Sequence, residues 1–348
     1  MPTLPLAAEF APFTLADGFR RWYGEVLDLW LARTETPSEL VLERPGAALR
    51  YYGEAGNHPP LLIIPAPIKK PYIWDLTPSV SVVRRCLEAS LRVYCLEWRE
   101  APPEDPNRGI AVYADKLIMD CVDAIGEPVV LAGHSLGGTF AAIFASLYAE
   151  HARALLLLEA PLSFAADTGA IAALIRIVPS TPALRDASDY PGTLLNALSL
   201  AASPESFFWW RWRDKLASTA DAMAYRTHLL VERWTLDEYA MPGELFADVV
   251  DLYRNDRFMQ GTLEIAGKVA AARQVTAPLL AVVDPESDVV PPSSVVPFLD
   301  VLPERDWTLL HYEGDTGVAL RHVGVLVGRN AHRLLWPKIL DWVKAKAG

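Results

Sequence analysis

Gly133-His134-Ser135-Leu136-Gly137 sets a hydroxyl between two glycines, after the apolar stretch "VVLAG" and before the Ala-rich stretch "GGTFAAIFASLYAEH". A serine at such a strand-to-helix turn projects its Oγ above the sheet, and the flanking glycines keep side chains out of a crowded corner. The turn also opens a helix, so the N–H of Leu136 can stabilise negative charge growing on an attacked carbonyl oxygen. The chemistry this implies is acyl transfer through an ester on Ser135. That chemistry needs a base beside the serine, and an acid to orient the base.

Seven histidines compete for the base: His58, His134, His151, His228, His311, His322 and His332. On this architecture the chain order is serine, acid, histidine, with the last two on loops after late strands. His322, in "VALRHVGVLVG", falls in the loop between the last strand and the last helix and is the expected base. His311 lies within "TLLHYE", where a sheet would hold it, and His332 falls in the terminal helix as a surface or capping residue. For the acid, "AVVDPESDVVPP" offers Asp284 and Asp288. Asp284 ends a strand and suits a turn, whereas Asp288 lies further out, where the loop can reach back to an imidazole. Asp288 is therefore the expected acid.

The elements that must hold these residues alternate along the chain. Residues 41–54 read as a hairpin, and 61–67, 92–98, 128–133, 154–160, 278–284 and 306–313 read as strands. Helical spacing lies between them, which implies an α/β fold with a mostly parallel sheet covered on both faces. Residues 162–272 break the alternation. We read an α/β-hydrolase core in two parts, 1–161 and 273–348, interrupted by a helical cap insertion over 162–272.

Composition narrows the function. The 348 residues carry 32 basic and 43 acidic side chains, a net charge of −11, which disfavours nucleic acid as a partner. Three cysteines, Cys86, Cys95 and Cys121, form neither a metal-binding spacing nor a disulfide framework. No cofactor or metal is expected. The chain reads as having no signal peptide or transmembrane segment, and a cytoplasmic location is expected.

With these residues in place, the chain resembles the polyhydroxyalkanoate synthases. "LLIIPAPIKKPYIWDL" is similar to their strand and loop, which read P-P-x-I-N-K-x-Y-I-x-D-L. "VVLAGHSLGGTFAA" resembles their nucleophile motif and "SDVVPPSS" their acid loop. The likeness continues through "YPGTLLNALSL", "YAMPGELFADVVDLYRNDRFMQGTLEI" and "RHVGVLVG", covering roughly residues 40–345. The resemblance implies an α/β-hydrolase fold with a cap over the site. It carries a nucleophile onto Ser135, an acid onto Asp288 and a base onto His322. Two departures bear on the reaction. Serine stands where the family has cysteine, and an oxygen ester is less activated than a thioester towards a hydroxyl acceptor, so water competes better. Pro67 also has no N–H to donate, so a second oxyanion donor from this loop is assigned to Ile68, beside Leu136.

The preferred reading is a serine ester hydrolase acting on hydroxyacyl esters or short polyesters. The alternatives are an acyltransferase that polymerises hydroxyacyl-CoA through its serine, and a non-catalytic protein that binds polymer granules. Pro67, His134, Trp209 and Trp210 are candidate substrate contacts. Phe207, Phe208, Trp209, Trp210 and Trp212 alternate with Arg211 and Arg213 in the cap. The preferred account of this cluster is packing against the main domain; the sharper one is a surface for polymer or for a second copy in a homodimer. Lys69 and Lys70 are expected in a solvated loop near the mouth.

Overall fold

The computed structural model describes residues 10–347 apart from 54–58, 101, 103–104, 106, 166–168, 170–171, 173–174, 176–177, 179–183, 186–188 and 304–305. An amphipathic helix, α1 (Ala11–Asp28), is the first element among the described residues, in a stretch where the sequence pattern predicts none. The hairpin β1 (Ser38–Arg44) and β2 (Ala47–Tyr52) follows, then β3 (Pro60–Ile64), α2 (Val82–Glu88) and β4 (Arg92–Trp98). Next come α3 (Leu117–Ile125), β5 (Val129–His134), α4 (Leu136–Leu147) and β6 (Ala152–Leu158).

The chain then leaves the sheet. Helices α5 (Gly192–Ala202), α6 (Trp210–Ser218), α7 (Ala222–Thr235) and α8 (Gly243–Arg254) lie between β6 and β7 (Leu279–Val283). After β7 come the short α9 (Val296–Asp300), β8 (Trp307–His311) and α10 (Trp336–Ala347).

The eight strands lie in the order β1-β2-β4-β3-β5-β6-β7-β8. β1 and β2 run antiparallel to their neighbours, and every pairing from β4–β3 to β7–β8 is parallel. β7 pairs directly with β6, Leu279 opposite Leu155, so the residues between them are an excursion from a continuous sheet. In β3, Leu62 and Ile64 join a core with α3 and α4, while Leu61 and Ile63 join another with α2 and α10. Burial on both faces explains why the central strands are unbroken apolar runs.

Helix α1 is tied down by charge. Asp17 accepts the backbone N–H groups of Gly192 (3.0 Å) and Thr193 (2.7 Å), capping the start of α5. Arg20 donates to the Leu236 carbonyl at 2.7 Å and to Glu238. Among the described residues no helix is long and apolar enough to cross a membrane.

Candidate active site

Ser135 follows β5 and heads α4 with φ 55° and ψ −134°, a left-handed conformation that a non-glycine residue holds only under local constraint. The constraint is visible in the packing. A Cβ on Gly133 would stand 2.4 Å from Gly138 Cα, and one on Gly137 would stand 2.2 Å from the Ile64 carbonyl oxygen. The two glycines let α4 begin against the ends of β3 and β5. As the first helical residue, Leu136 has an amide with no partner inside its own helix.

His322 lies after β8, in a short 3₁₀ turn, Arg321–Val323. Its Nδ1 is 3.0 Å from Oε2 of Glu159, and its carbonyl is 2.9 Å from Nε2 of His134, which donates to it. Glu159 follows β6, is fully buried, and has φ 45°. Ser287 Oγ donates to the same carboxylate oxygen at 3.4 Å.

The acid expected from the sequence is not at the imidazole. Asp288 is exposed and accepts a 3.2 Å hydrogen bond from Ser206 Oγ of the excursion, while Glu159 occupies the place beside His322. The reason is local. The turn after β7 directs Ser287 inward, and the next residue faces out. Asp284, the other acid considered, is buried and forms a two-pronged pair with Arg321, the residue before His322. Its charge braces that turn, so it is more than a strand terminator. Glu159 carried a signal that the sequence reading passed over: a lone acid closing the apolar strand "ALLLLEA".

Burial disfavours charge on the whole group. It holds His322 down at about 4, opposed by the nearby Asp284 charge. Burial and the Asp284 charge together push the Glu159 carboxyl well above the usual range. His134 is also pushed well down by burial and by His322. At neutral pH the His322 imidazole is uncharged, with Nδ1 engaged and Nε2 left to exchange a proton.

Ser135 and His322 share a cavity of about 140 Å³, walled also by His134, Trp74, Phe207 and Trp234. Ile68 lines it too, with its carbonyl accepting from Tyr239 N–H at 2.9 Å. Of the expected substrate contacts, only His134 lies on this cavity. Pro67 lines a separate cleft of about 350 Å³ with Arg108 and Tyr239. Trp210 lines a cleft of about 200 Å³ that reaches His322 from the side of Asp288. Trp209 is 56% exposed, edge-on to Phe208.

Three further expectations are corrected. Lys69 is not in a solvated loop: it lines the cavity, pairs with Glu238 and stacks 4.8 Å over the Trp234 ring. His332 is buried, so it is not a surface residue, and it donates to the Leu326 carbonyl at 2.7 Å in the last turn of the short helix Gly324–Val327. The aromatic cluster is packed away only in part: Phe207 lies against the sheet's cores and Trp210 is half-buried, while Phe208, Trp209 and Trp212 are exposed. The other histidines lie elsewhere: His311 exposed at the end of β8, His228 buried beside Asp214, His151 half-buried beside Tyr148, and His58 outside the described residues. No group of three or more potential ligands that could hold a metal occurs among the described residues.

Residues 62–308 match the model of the alpha/beta hydrolase family, and the chain belongs to that family. Within it the chain is polyhydroxyalkanoate synthase-like. It is 29% identical over 322 residues to the poly(3-hydroxyalkanoate) polymerase subunit PhaC of Haloferax mediterranei, covering 88% of this chain. It spans 64% of that relative's length. To the PhaC of Allochromatium vinosum it is 25% identical, covering 89% of each chain. Among solved structures, carboxylesterase CesB of Bacillus subtilis superposes with a TM-score of 0.55 at 15% identity, over 95% of this chain and 99% of that one. The thioesterase domain from the curacin biosynthetic pathway gives 0.53 at 15% identity, over 88% and 100%. These two share the fold.

Proposed function

We propose that the protein is a serine ester hydrolase that works through an acyl-enzyme on hydroxyacyl esters or short polyesters. Ser135 is the nucleophile, His322 the base and Glu159 the acid. The observation that carries this reading is a strained serine sharing one cavity with an imidazole whose Nδ1 lies 3.0 Å from the buried Glu159 carboxyl group. His322 takes the Ser135 proton as Oγ attacks the ester carbonyl. The tetrahedral oxyanion is met by the N–H of Leu136, with Ile68 as the assigned second donor. His322 then protonates the leaving alkoxide, and the second half repeats the cycle with water in place of Ser135.

A second reading, transfer of the acyl group to another hydroxyacyl unit delivered as its CoA thioester, is favoured by the polymerase relatives. In it, the exposed Phe208, Trp209 and Trp212 supply a surface for the growing hydrophobic product. Hydrolysis leads because a serine ester activates its acyl group less than a thioester does. The test offers an aryl ester and hydroxybutyryl-CoA to the purified chain. Ester turnover, a phosphonate adduct on Ser135 and free hydroxybutyrate support hydrolysis; polymer supports transfer. An inert chain with an unlabelled Ser135 overturns both.

A further inference from the structure

We propose that Phe207 is the specificity-determining residue of this site, its ring setting the length of acyl chain that reaches Ser135. The inference rests on reading the Ser135 cavity as an acyl-ester site. At about 140 Å³ the cavity is smaller than the roughly 300–1,000 Å³ of an ordinary small-molecule pocket. As it stands, it admits a short acyl group.

Two larger spaces adjoin it, and Phe207 lines all three. One is the cleft of about 200 Å³ beside Asp288, Arg213 and Trp210. The other is a cleft of about 340 Å³ walled by Leu200, Phe208, Trp212 and Lys215. Asn196 of α5 is also common to the cavity and the larger cleft, and His322 to the cavity and the smaller one. Arg211, shared by the cavity and the larger cleft, is held by two hydrogen bonds to Glu232, at 2.7 and 2.6 Å. Val289 and Leu320, shared with the smaller cleft, are buried in the core. Phe207 is half-buried, has no polar tether, and packs against both apolar cores of the sheet.

Its backbone is also unusual. Glu205–Trp209 forms a π-helical turn, as do Val112–Lys116 and Ala331–Leu335, a rare geometry that is frequent at functional sites. The adjacent Ser206 is tied to the core by its single exposed bond to Asp288. A turn of the Phe207 ring joins the cavity to the larger cleft, whose Leu200, Phe208 and Trp212 offer an apolar wall to an aliphatic chain. The smaller cleft, lined by Arg213, Glu286 and Arg321, suits such a chain poorly.

The experiment measures labelling of Ser135 by ethyl and dodecyl phosphonates in the parent, Phe207→Ala and Phe207→Trp, with folding checked by circular dichroism. Labelling requires the activated serine but no acyl acceptor. The dodecyl-to-ethyl rate ratio should rise about tenfold or more in Phe207→Ala, as expected when a steric wall is removed from an apolar pocket, and fall in Phe207→Trp. Should Phe207→Ala fail to fold, Phe207→Leu should move the ratio the same way by a smaller factor. Equal ratios across the folded variants overturn the gate and leave the serine assignment standing. A parent that neither probe labels overturns the serine assignment and the gate with it.

Discussion

A carboxylic acid with no exposure, such as Glu159, is costly to keep ionised unless partners repay the lost hydration. Here the partners are His322 Nδ1 and Ser287 Oγ, both on Oε2, and Oε1 has no hydrogen-bond partner among the described residues. Such an arrangement is poor for stability and sound for orienting an imidazole. Glu159→Gln keeps the volume but removes the carboxylate that sets the tautomer. It should lower kcat for an aryl ester by about 10³–10⁴-fold, as for other triad acids changed to amides. Asp288→Asn, at an exposed site, should stay within about twofold of the parent. A dead but folded Asp288→Asn beside an active Glu159→Gln would return the acid to the loop that the sequence favoured. The same burial sets the pH response. His322 is held at about 4, below the ordinary 6.5 of histidine, so the base remains unprotonated down through that interval. The acid limb of kcat/KM should therefore fall near pH 4–5, and a limb centred at 6.5 would show a solvated imidazole. Ser135 and His322 were legible because chain order and a turn motif constrain them. The carboxyl beside the imidazole was not, because two loops carry three carboxyl groups, Glu159, Asp284 and Asp288, and only the packed turn decides which one faces inward.

The loop that carries His322 is held at the element scale by α6 and α7. Asp214 of α6 is buried and accepts the N–H groups of Gly317 and Ala319, each at 2.7 Å. His228 of α7 donates Nδ1–H to the same carboxylate at 2.8 Å. Gly317 has φ 86°, and a Cβ there would stand 2.5 Å from the Ala224 carbonyl, so the loop lies directly on α7. The excursion thus braces the proposed base as well as walling the cavity. Asp214→Ala should leave two buried N–H groups unpaired, at about 1–3 kcal/mol each. Because His322 sits three residues beyond Ala319, kcat should fall more than tenfold with KM nearly unchanged, and Asp214→Asn should recover part of the loss. Steady-state kinetics on folded variants measures the split; a loss confined to melting temperature would reduce Asp214 to a packing role. This brace was invisible in the sequence, since Asp214 reads as one more charge in "WWRWRDK". Helix α1 was missed for a related reason. Its inward face is charged (Asp17, Arg20), while Leu15, Phe19, Trp22 and Tyr23 are exposed, the reverse of the pattern that marks a core-facing helix. The sheet strands, by contrast, were legible as unbroken apolar runs bounded by Pro, Gly and charge.

Whether water or a hydroxyl receives the acyl group is a property of the whole molecule. It depends on how activated the bound acyl group is, on how dry the cavity stays, and on whether an acceptor can reach it past the helices of the excursion. The fold sets the last two alike for any nucleophile at position 135, since Gly133, Gly137 and the small cavity belong to the scaffold. The first term alone changes when Ser135 becomes Cys. A thiol beside the His322 imidazole attacks as its thiolate, and the thioester it forms is the more activated donor to a hydroxyl. The left-handed turn accepts either side chain, because the two differ only in the atom beyond Cβ. Ser135→Cys should accordingly lower simple ester hydrolysis and raise the share of acyl groups passed to an added hydroxyacyl acceptor. Product ratios at equal acceptor concentration decide between the terms. A higher transfer fraction assigns the choice to the nucleophile, and an unchanged ratio assigns it to the enclosure that the core and the helices of the excursion build together.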